Sequence, residues 1–267
     1  MNRQVPEKIA IVGNGKVAKH MIHYFESVGQ PYIHWFRQTT DSTQTAGLSR
    51  LARFKQKLFT TRDTHGGNFI SVLGPVQKVL LLLPDDQIEP FIQSHPELKS
   101  RTCIHCSGSL QSELAIGCHP LMTFGPDLYE LDCYKKIPFV VDEGADFSQL
   151  FPLLSNPSYS IKSEHKATYH ALCVMAGNFS QMLWRAVNEQ LPELGLPDHV
   201  MNLYLAQNTT NFIVNPQAAA TGPLVRGDQL TIGKHIKALQ TNPLADIYQA
   251  FLDLHQSPAT QPQRKSS

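Results

Sequence analysis

The stretch KIAIVGNGKVAKHMIHYFESVG, Lys8 to Gly29, decides the fold. It opens as an apolar strand, turns through Gly13-Asn14-Gly15-Lys16-Val17-Ala18, and runs on as a helical pattern that closes at Gly29. Each small residue has a physical task in dinucleotide binding. Gly13 makes the tight turn, Gly15 lets backbone approach a pyrophosphate, and Ala18 lets the helix pack on the strand. The first N–H groups of the helix then face the phosphates. A lone G-x-G-x-x-A is a weak signal; this one follows a strand, opens a helix and is succeeded by a second strand. Gly13, Asn14, Gly15, Lys16 and Val17 are therefore assigned to a cofactor.

The second strand, PYIHWFRQTTDS from Pro31, selects between the two nicotinamide cofactors. NAD sites place an acid at its end for the ribose 2′-OH, and NADP sites place arginine there for the 2′-phosphate. Here the strand ends Trp35-Phe36-Arg37 and the first acid, Asp41, comes four residues later. The expected cofactor is NADP(H), held by Arg37 with hydroxyl donors from Thr39, Thr40 and Ser42. The competing reading is that Arg37 solvates a strand end.

Outward from this unit, short apolar runs alternate with amphipathic segments as far as Asp142, the pattern of a mostly parallel sheet with crossover helices. The strands read as KIAIVG, PYIHWF, KVLLLLP, TCIHCS and IPFVV, while a further strand between Lys57 and Leu73 has no clear place because TTRDTHGGN is loop-like. From about Tyr159 long helical periods take over: His165 to Gln190, Asp198 to Asn215, Gln229 to Gln240 and Pro243 to His255. The boundary is expected near Pro157, giving a Rossmann domain over 1–157, a helical domain over 158–258 and a disordered polar tail over 259–267.

With 267 residues, 42% hydrophobic and 17% charged, and a net charge of +1, the chain has no field to attract nucleic acid or anionic lipid. Small molecules are the expected partners. No apolar leader precedes the first strand and VLLLLP is too short to span a bilayer, so a cytoplasmic protein is expected. Five irregularly spaced cysteines do not form a secreted disulfide framework. Cys103 and Cys106 make a C-x-x-C, but on a strand residues three apart face opposite ways, and no second ligand pair completes a tetrahedral site. No metal is expected.

The carboxyl ends of the strands line the ligand crevice of a doubly wound sheet. Pro84, in Leu83-Pro84-Asp85-Asp86, is expected to pass the nicotinamide ribose, with Asp as the cap of the next helix. The fifth strand delivers Ser107-Gly108-Ser109 to the same edge. These residues either supply donors to cofactor (Ser107) and substrate (Ser109) or form a turn.

Together GNGKVA, LLLLPDDQI, HCSGSL, HPLMTF, KATYHAL with Asn178, and TGPLVRGD resemble the Rossmann-like proteins that carry a C-terminal domain of unknown function 2520. More distantly they resemble pyrroline-5-carboxylate reductase and the 3-hydroxyacid dehydrogenases. The resemblance covers Lys8 to His255. It implies a nicotinamide-binding domain followed by a helical dimerisation domain of the 6-phosphogluconate dehydrogenase-like kind, and, by analogy, a reductase. In the distant dehydrogenases the first long helix of the second domain carries a substrate-binding lysine, with Asn one turn later. Lys166 matches that lysine. The sequence departs from the pattern at His170, and the asparagine comes only at Asn178.

On the helix HKATYHALCVMAGNF, from His165, Lys166, His170, Cys173 and Gly177 share one stripe. The flanking apolar residues imply a central, buried helix. A donor is needed where hydride reaches a C=O or C=N carbon, and Lys166 or His170 suits that task. The alternative is a snorkelling lysine and a core histidine. His119, held extended before Pro120, is a third candidate. Arg226, between helices, suits a substrate carboxylate or pairs with Asp228, itself a helix cap.

The expected function is an NADP(H)-dependent oxidoreductase of a small carbonyl or imine compound, a homodimer through its helical domain, with hydride transfer in the interdomain cleft. Catalytic candidates are Lys166, His170 and His119; substrate candidates are Ser109, Asn178 and Arg226. The alternatives are a non-catalytic NADPH-binding regulator and a deazaflavin-dependent reductase.

Overall fold

The computed structural model describes residues 7–37, 60–62, 69 and 73–257. The chain divides into two compact units, residues 1–178 and 179–267.

The first unit is a sheet with strands β1 (Ile9–Val12), β2 (Tyr32–Trp35), β3 (Thr60–Arg62), β4 (Lys78–Leu81), β5 (Thr102–His105), β6 (Ile116–Pro120), β7 (Phe139–Asp142) and β8 (Ser158–Ile161). Their order is β3-β2-β1-β4-β5-β6-β7-β8, and every pair is parallel except β6–β7. Helices α1 (Lys16–Val28), α2 (Asp85–Ser94), α3 (Leu131–Lys136) and α4 (Phe147–Leu150) join or flank the strands.

The strands lie in continuous apolar runs because both faces are covered. Ile9 and Ile11 join Tyr24, Phe25, Tyr134 and Phe139 in one core. Ala10 and Val12 join Ile88, Ile92 and Phe69 in the other. Cys103 belongs to the second core and Cys106 packs against the first, so the C-x-x-C pair is split between the two faces. Polar side chains inside the first core are paired, as burial demands. His20 bonds the Tyr134 hydroxyl (2.7 Å) and the Gly125 carbonyl (3.0 Å), and Tyr24 donates to Asn156 (2.7 Å).

Two strands escaped the sequence reading. β6 alternates Gly117, Cys118 and His119, so only one of its faces is apolar, and β8 is exposed along most of its length. The strand expected between Lys57 and Leu73 is β3. The boundary expected near Pro157 falls inside the first unit, because β8 adds to β7 with Ile161 opposite Asp142 and leads directly into α5 (Lys166–Val174). A π-helical turn over Met175–Phe179 follows.

α5 is not the buried helix expected. Within this chain Lys166 is its one buried residue, while Leu172, Met175 and Phe179 are 59%, 55% and 54% exposed. Of the stripe read from the sequence, Lys166, His170 and Cys173 are turned away from solvent and Gly177 is exposed; Tyr169 and Val174 complete the covered face.

The second unit is helical: α6 (Ser180–Gln190), α7 (Asn202–Val214), α8 (Pro223–Arg226), α9 (Gln229–Ala238) and α10 (Ala245–Gln256). Asp228 caps α9, accepting from the Thr231 N–H (3.0 Å) and hydroxyl (2.7 Å). Among the described residues no helix is long and apolar enough to cross a membrane. The disordered tail expected over 259–267 lies outside the described residues.

Candidate functional site

The glycine turn between β1 and α1 is built from three sides. Gly13 has φ +124°, a conformation L side chains rarely adopt. A Cβ there would collide with the Leu82 carbonyl of the neighbouring β4 end. Its N–H donates to Trp35 O (3.0 Å), and His34 Nε2 donates to its carbonyl (2.7 Å). β2 therefore clamps the turn while its next residues lead to Arg37. Asn14, Gly15 and Lys16 are exposed and Val17 half-buried, so the start of α1 is open to a ligand. Gly15 has ordinary extended backbone, and nothing lies within 4 Å of a Cβ placed there. Its smallness matters only to something arriving from outside. Arg37 is exposed just past β2. Thr39, Thr40 and Ser42 lie outside the described residues.

At the next strand end Pro84, not an aspartate, is the N-cap of α2, and it is exposed. Asp85 instead turns its carboxylate to the β5 loop, accepting from Ser107 Oγ (2.5 Å) and, more weakly, Ser109 Oγ (3.4 Å). Ser107 Oγ also accepts from the Ser109 and Leu110 N–H groups (3.2 and 3.0 Å). Ser107 is thus the pivot of a side-chain turn tied to the start of α2. Gly108 is glycine for space: a Cβ on it would lie 2.6 Å from His170 Cδ2 and 3.3 Å from His119 Cδ2.

β6 starts level with the end of β5, Gly117 opposite His105, so its second half passes beyond that carboxyl edge. Strand alternation places Gly117 and His119 on one face, and register adds His105 and Asp142 to it. α5 lays its polar stripe on this face. His119 Nδ1 meets the Tyr169 hydroxyl at 2.7 Å, and the His119 and His170 rings are 5.8 Å apart, edge to face. Lys166 Nζ lies 2.6 Å from Asp142 Oδ1, and Asp142 Oδ2 accepts the Gly117 N–H at 2.6 Å.

Burial sets the charge here. It pushes His119 down to about 4, assisted by His170 and Lys166 nearby. It does the same to His105, also to about 4, with Lys166 adding to the effect. Burial likewise raises the Tyr169 hydroxyl, helped by Cys173. At pH 7 both imidazoles and the phenol are neutral. Which of His119 Nδ1 and the Tyr169 hydroxyl donates across their 2.7 Å contact depends on the His119 tautomer, and the hydroxyl also meets Cys173. His105 Nδ1 accepts the Ser107 N–H (3.2 Å), and its Nε2 is buried without a partner.

The first unit thus brings together Ser107, Ser109, His119, Lys166 and His170 from the sequence-derived set. Asn178 is exposed, and Arg226 is an exposed residue of the second unit that lies near Asp228. Tyr169, Asp142, His105, Asp85 and Gly117 were missed. Tyr169 was visible in principle, three residues from Lys166 and one from His170. Asp142 shows only as an acid ending an apolar strand.

Solved structures share this fold. A Bacteroides fragilis protein provisionally described as an NADP oxidoreductase is 20% identical, with 94% of this chain and 99% of that one covered at TM-score 0.68. A reductive aminase from Aspergillus terreus, in complex with NADPH and ethyl levulinate, is 13% identical over 94% and 92% of the two chains at 0.58. An imine reductase from Myxococcus stipitatus, in complex with NADP+, is 11% identical over 93% and 92% at 0.59. No protein of curated function matches the chain in sequence. The chain is a Rossmann-type α/β unit followed by a helical one, and its residues 144–253 match the family model described as Domain of unknown function (DUF2520).

Proposed function

We propose that this protein is an NADP(H)-dependent oxidoreductase that reduces a small carbonyl or imine compound. The observation that carries the reading is the neutral His119–Tyr169 pair, with His170 beside it, packed over Gly108 at the carboxyl edge of the sheet. The glycine turn opens onto the same edge. When bound, the cofactor supplies the hydride.

The chain's residues suit the remaining tasks. Asn14, Gly15, Lys16 and Val17 at the start of α1 offer N–H groups to the pyrophosphate, and Arg37 offers a guanidinium to the 2′-phosphate. Pro84, the Asp85–Ser107 link and Ser109 shape the edge beside the nicotinamide. In this reading the Tyr169 hydroxyl donates to Nδ1 and the His119 Nε2–H to the substrate oxygen or nitrogen; as that proton leaves, Tyr169 passes its own to Nδ1 and is reprotonated from solvent. His170 closes the site against water. Asn178 and Arg226 are substrate candidates of lower rank, because neither belongs to this cluster. The NADP oxidoreductase, reductive aminase and imine reductase among the solved relatives support the cofactor and the reaction class.

The helical region over 158–258 serves dimerisation in this reading, supported by the apolar side chains that the second unit leaves exposed. A cytoplasmic location agrees with free cysteines.

The test is a panel of imines, oxo-acids and aldehydes with NADPH, following cofactor oxidation. Turnover that falls in His119→Ala supports the reading. Tight NADPH binding with no turnover across the panel makes the protein a regulator instead, and preferential binding of a deazaflavin replaces the cofactor. Arg37→Glu is expected to weaken NADPH far more than NADH. Equal weakening in a binding titration removes Arg37 from the phosphate site.

A further inference from the structure

We propose that Lys166 is a positioning residue: paired with Asp142 in a seat left open by Gly117, it latches α5 to the sheet so that Tyr169 and His170 meet His119 over Gly108. The assignment rests on reading His119 and Tyr169 as the acid pair, and it takes Lys166 out of direct proton donation.

Four observations carry it. The Lys166 side chain is 3% exposed and its Nζ lies 2.6 Å from the half-buried Asp142 Oδ1, so reaching a substrate would mean leaving that carboxylate and parting a pair whose ammonium is buried. Such a separation is costly. Asp142 is itself engaged at both oxygens, by Lys166 and by the Gly117 N–H.

Gly117 exists for this pair. A Cβ there would lie 2.5 Å from Lys166 Nζ and 2.7 and 2.8 Å from the two Asp142 oxygens. Gly117 is absent from the positive-φ glycines, so its requirement is space and not backbone freedom.

The latch lies one helical turn from the acid pair. Lys166, Tyr169 and His170 are spaced i, i+3, i+4 and so share a face. Turning α5 by one residue, about 100°, would take both rings off the sheet. Register closes the loop from the other side: Ile161, at the end of β8, is opposite Asp142, and five residues later α5 begins at Lys166.

Finally, little else sets that rotation within the first unit. Apart from Lys166, Tyr169, His170, Cys173 and Val174, α5 is exposed, so few apolar contacts fix the angle beside Lys166 and the ring contacts.

The experiment compares Lys166→Met, Asp142→Leu and the paired variant in NADPH-bound protein. Two readouts are used: turnover, and the His119 ring correlation in histidine-labelled NMR spectra. Each single variant is expected to move the His119 signal and to lower kcat more than tenfold with a smaller change in KM. The paired variant, with no charge left buried alone, is expected to restore the signal and bring kcat back to within about fivefold of the parent. A paired variant that regains its Tm yet stays as inactive as Lys166→Met overturns the proposal and makes Lys166 the acid. If no substrate turns over, the NMR arm still decides, since an unmoved His119 signal in Lys166→Met overturns the latch alone. Should the single variants fail to fold, Gly117→Ala presses on the pair without removing a charge, and an unmoved His119 signal there has the same force.

Discussion

At the scale of residues, burial keeps two histidines of the candidate site neutral, His105 and His119. His105 has no exposure and titrates near 4 instead of 6.5. The sign follows from proton counting: between these values the unfolded chain binds a proton that the folded one refuses, so stability is lost as pH falls from about 6.5 to about 4. The loss at His105 is on the order of 3 kcal/mol, and His119 acts in the same direction and window. Urea midpoints measured across that range are expected to fall with acid. His105→Asn keeps an acceptor for the Ser107 N–H and should flatten the fall; an unchanged slope would place the acid sensitivity elsewhere. Tyr169→Phe removes the proton behind His119 and is expected to cut turnover about 100-fold or more with little change in Tm. The sequence showed the stripe that carries Lys166 and His170 because helical spacing is local. It hid Asp142, since a partner 24 residues away on another strand leaves no periodic trace.

At the scale of elements, the β1–turn–α1 unit was legible because each of its requirements is met within twenty-two residues. The clamp on that unit was not. His34 donates to Gly13 from β2 and Leu82 blocks the Cβ from β4, contacts that exist only once three strands are side by side. Gly13→Ala therefore meets two penalties together, the positive φ and the Leu82 carbonyl. A cost of about 1–3 kcal/mol is expected from the strained backbone alone, with NADPH binding lost as the turn shifts. A variant of parental Tm and affinity would mean that the turn relaxes freely. β6 was read only as a break at His119-Pro120, because Gly117 and His119 interrupt its apolar pattern on the face where α5 lies. Those two interruptions are the residues the proposed latch and acid rest on, so the strand was hardest to read at the candidate site.

At the scale of the whole molecule, the two units differ in how completely they satisfy themselves. The first buries apolar side chains on both faces of its sheet. The second leaves Leu203, Ile213 and Val214 of α7 at 80%, 73% and 78% exposure. A helix of 13 residues is marginal in water without packing, and large apolar side chains left this exposed point to an interaction surface. A second copy of the chain is the expected cover. Sedimentation at micromolar concentration should give a dimer, and its Tm should rise with protein concentration, because association adds to the stability of the folded state. Leu203→Glu combined with Ile213→Glu should shift the species toward monomer and lower Tm, while NADPH still protects the glycine turn from proteolysis, since that turn is built within residues 1–178. A parent that sediments as a monomer at all concentrations would refute the dimer. Loss of NADPH binding in the monomeric variant would show instead that the cofactor edge needs the assembled helical region to hold its shape.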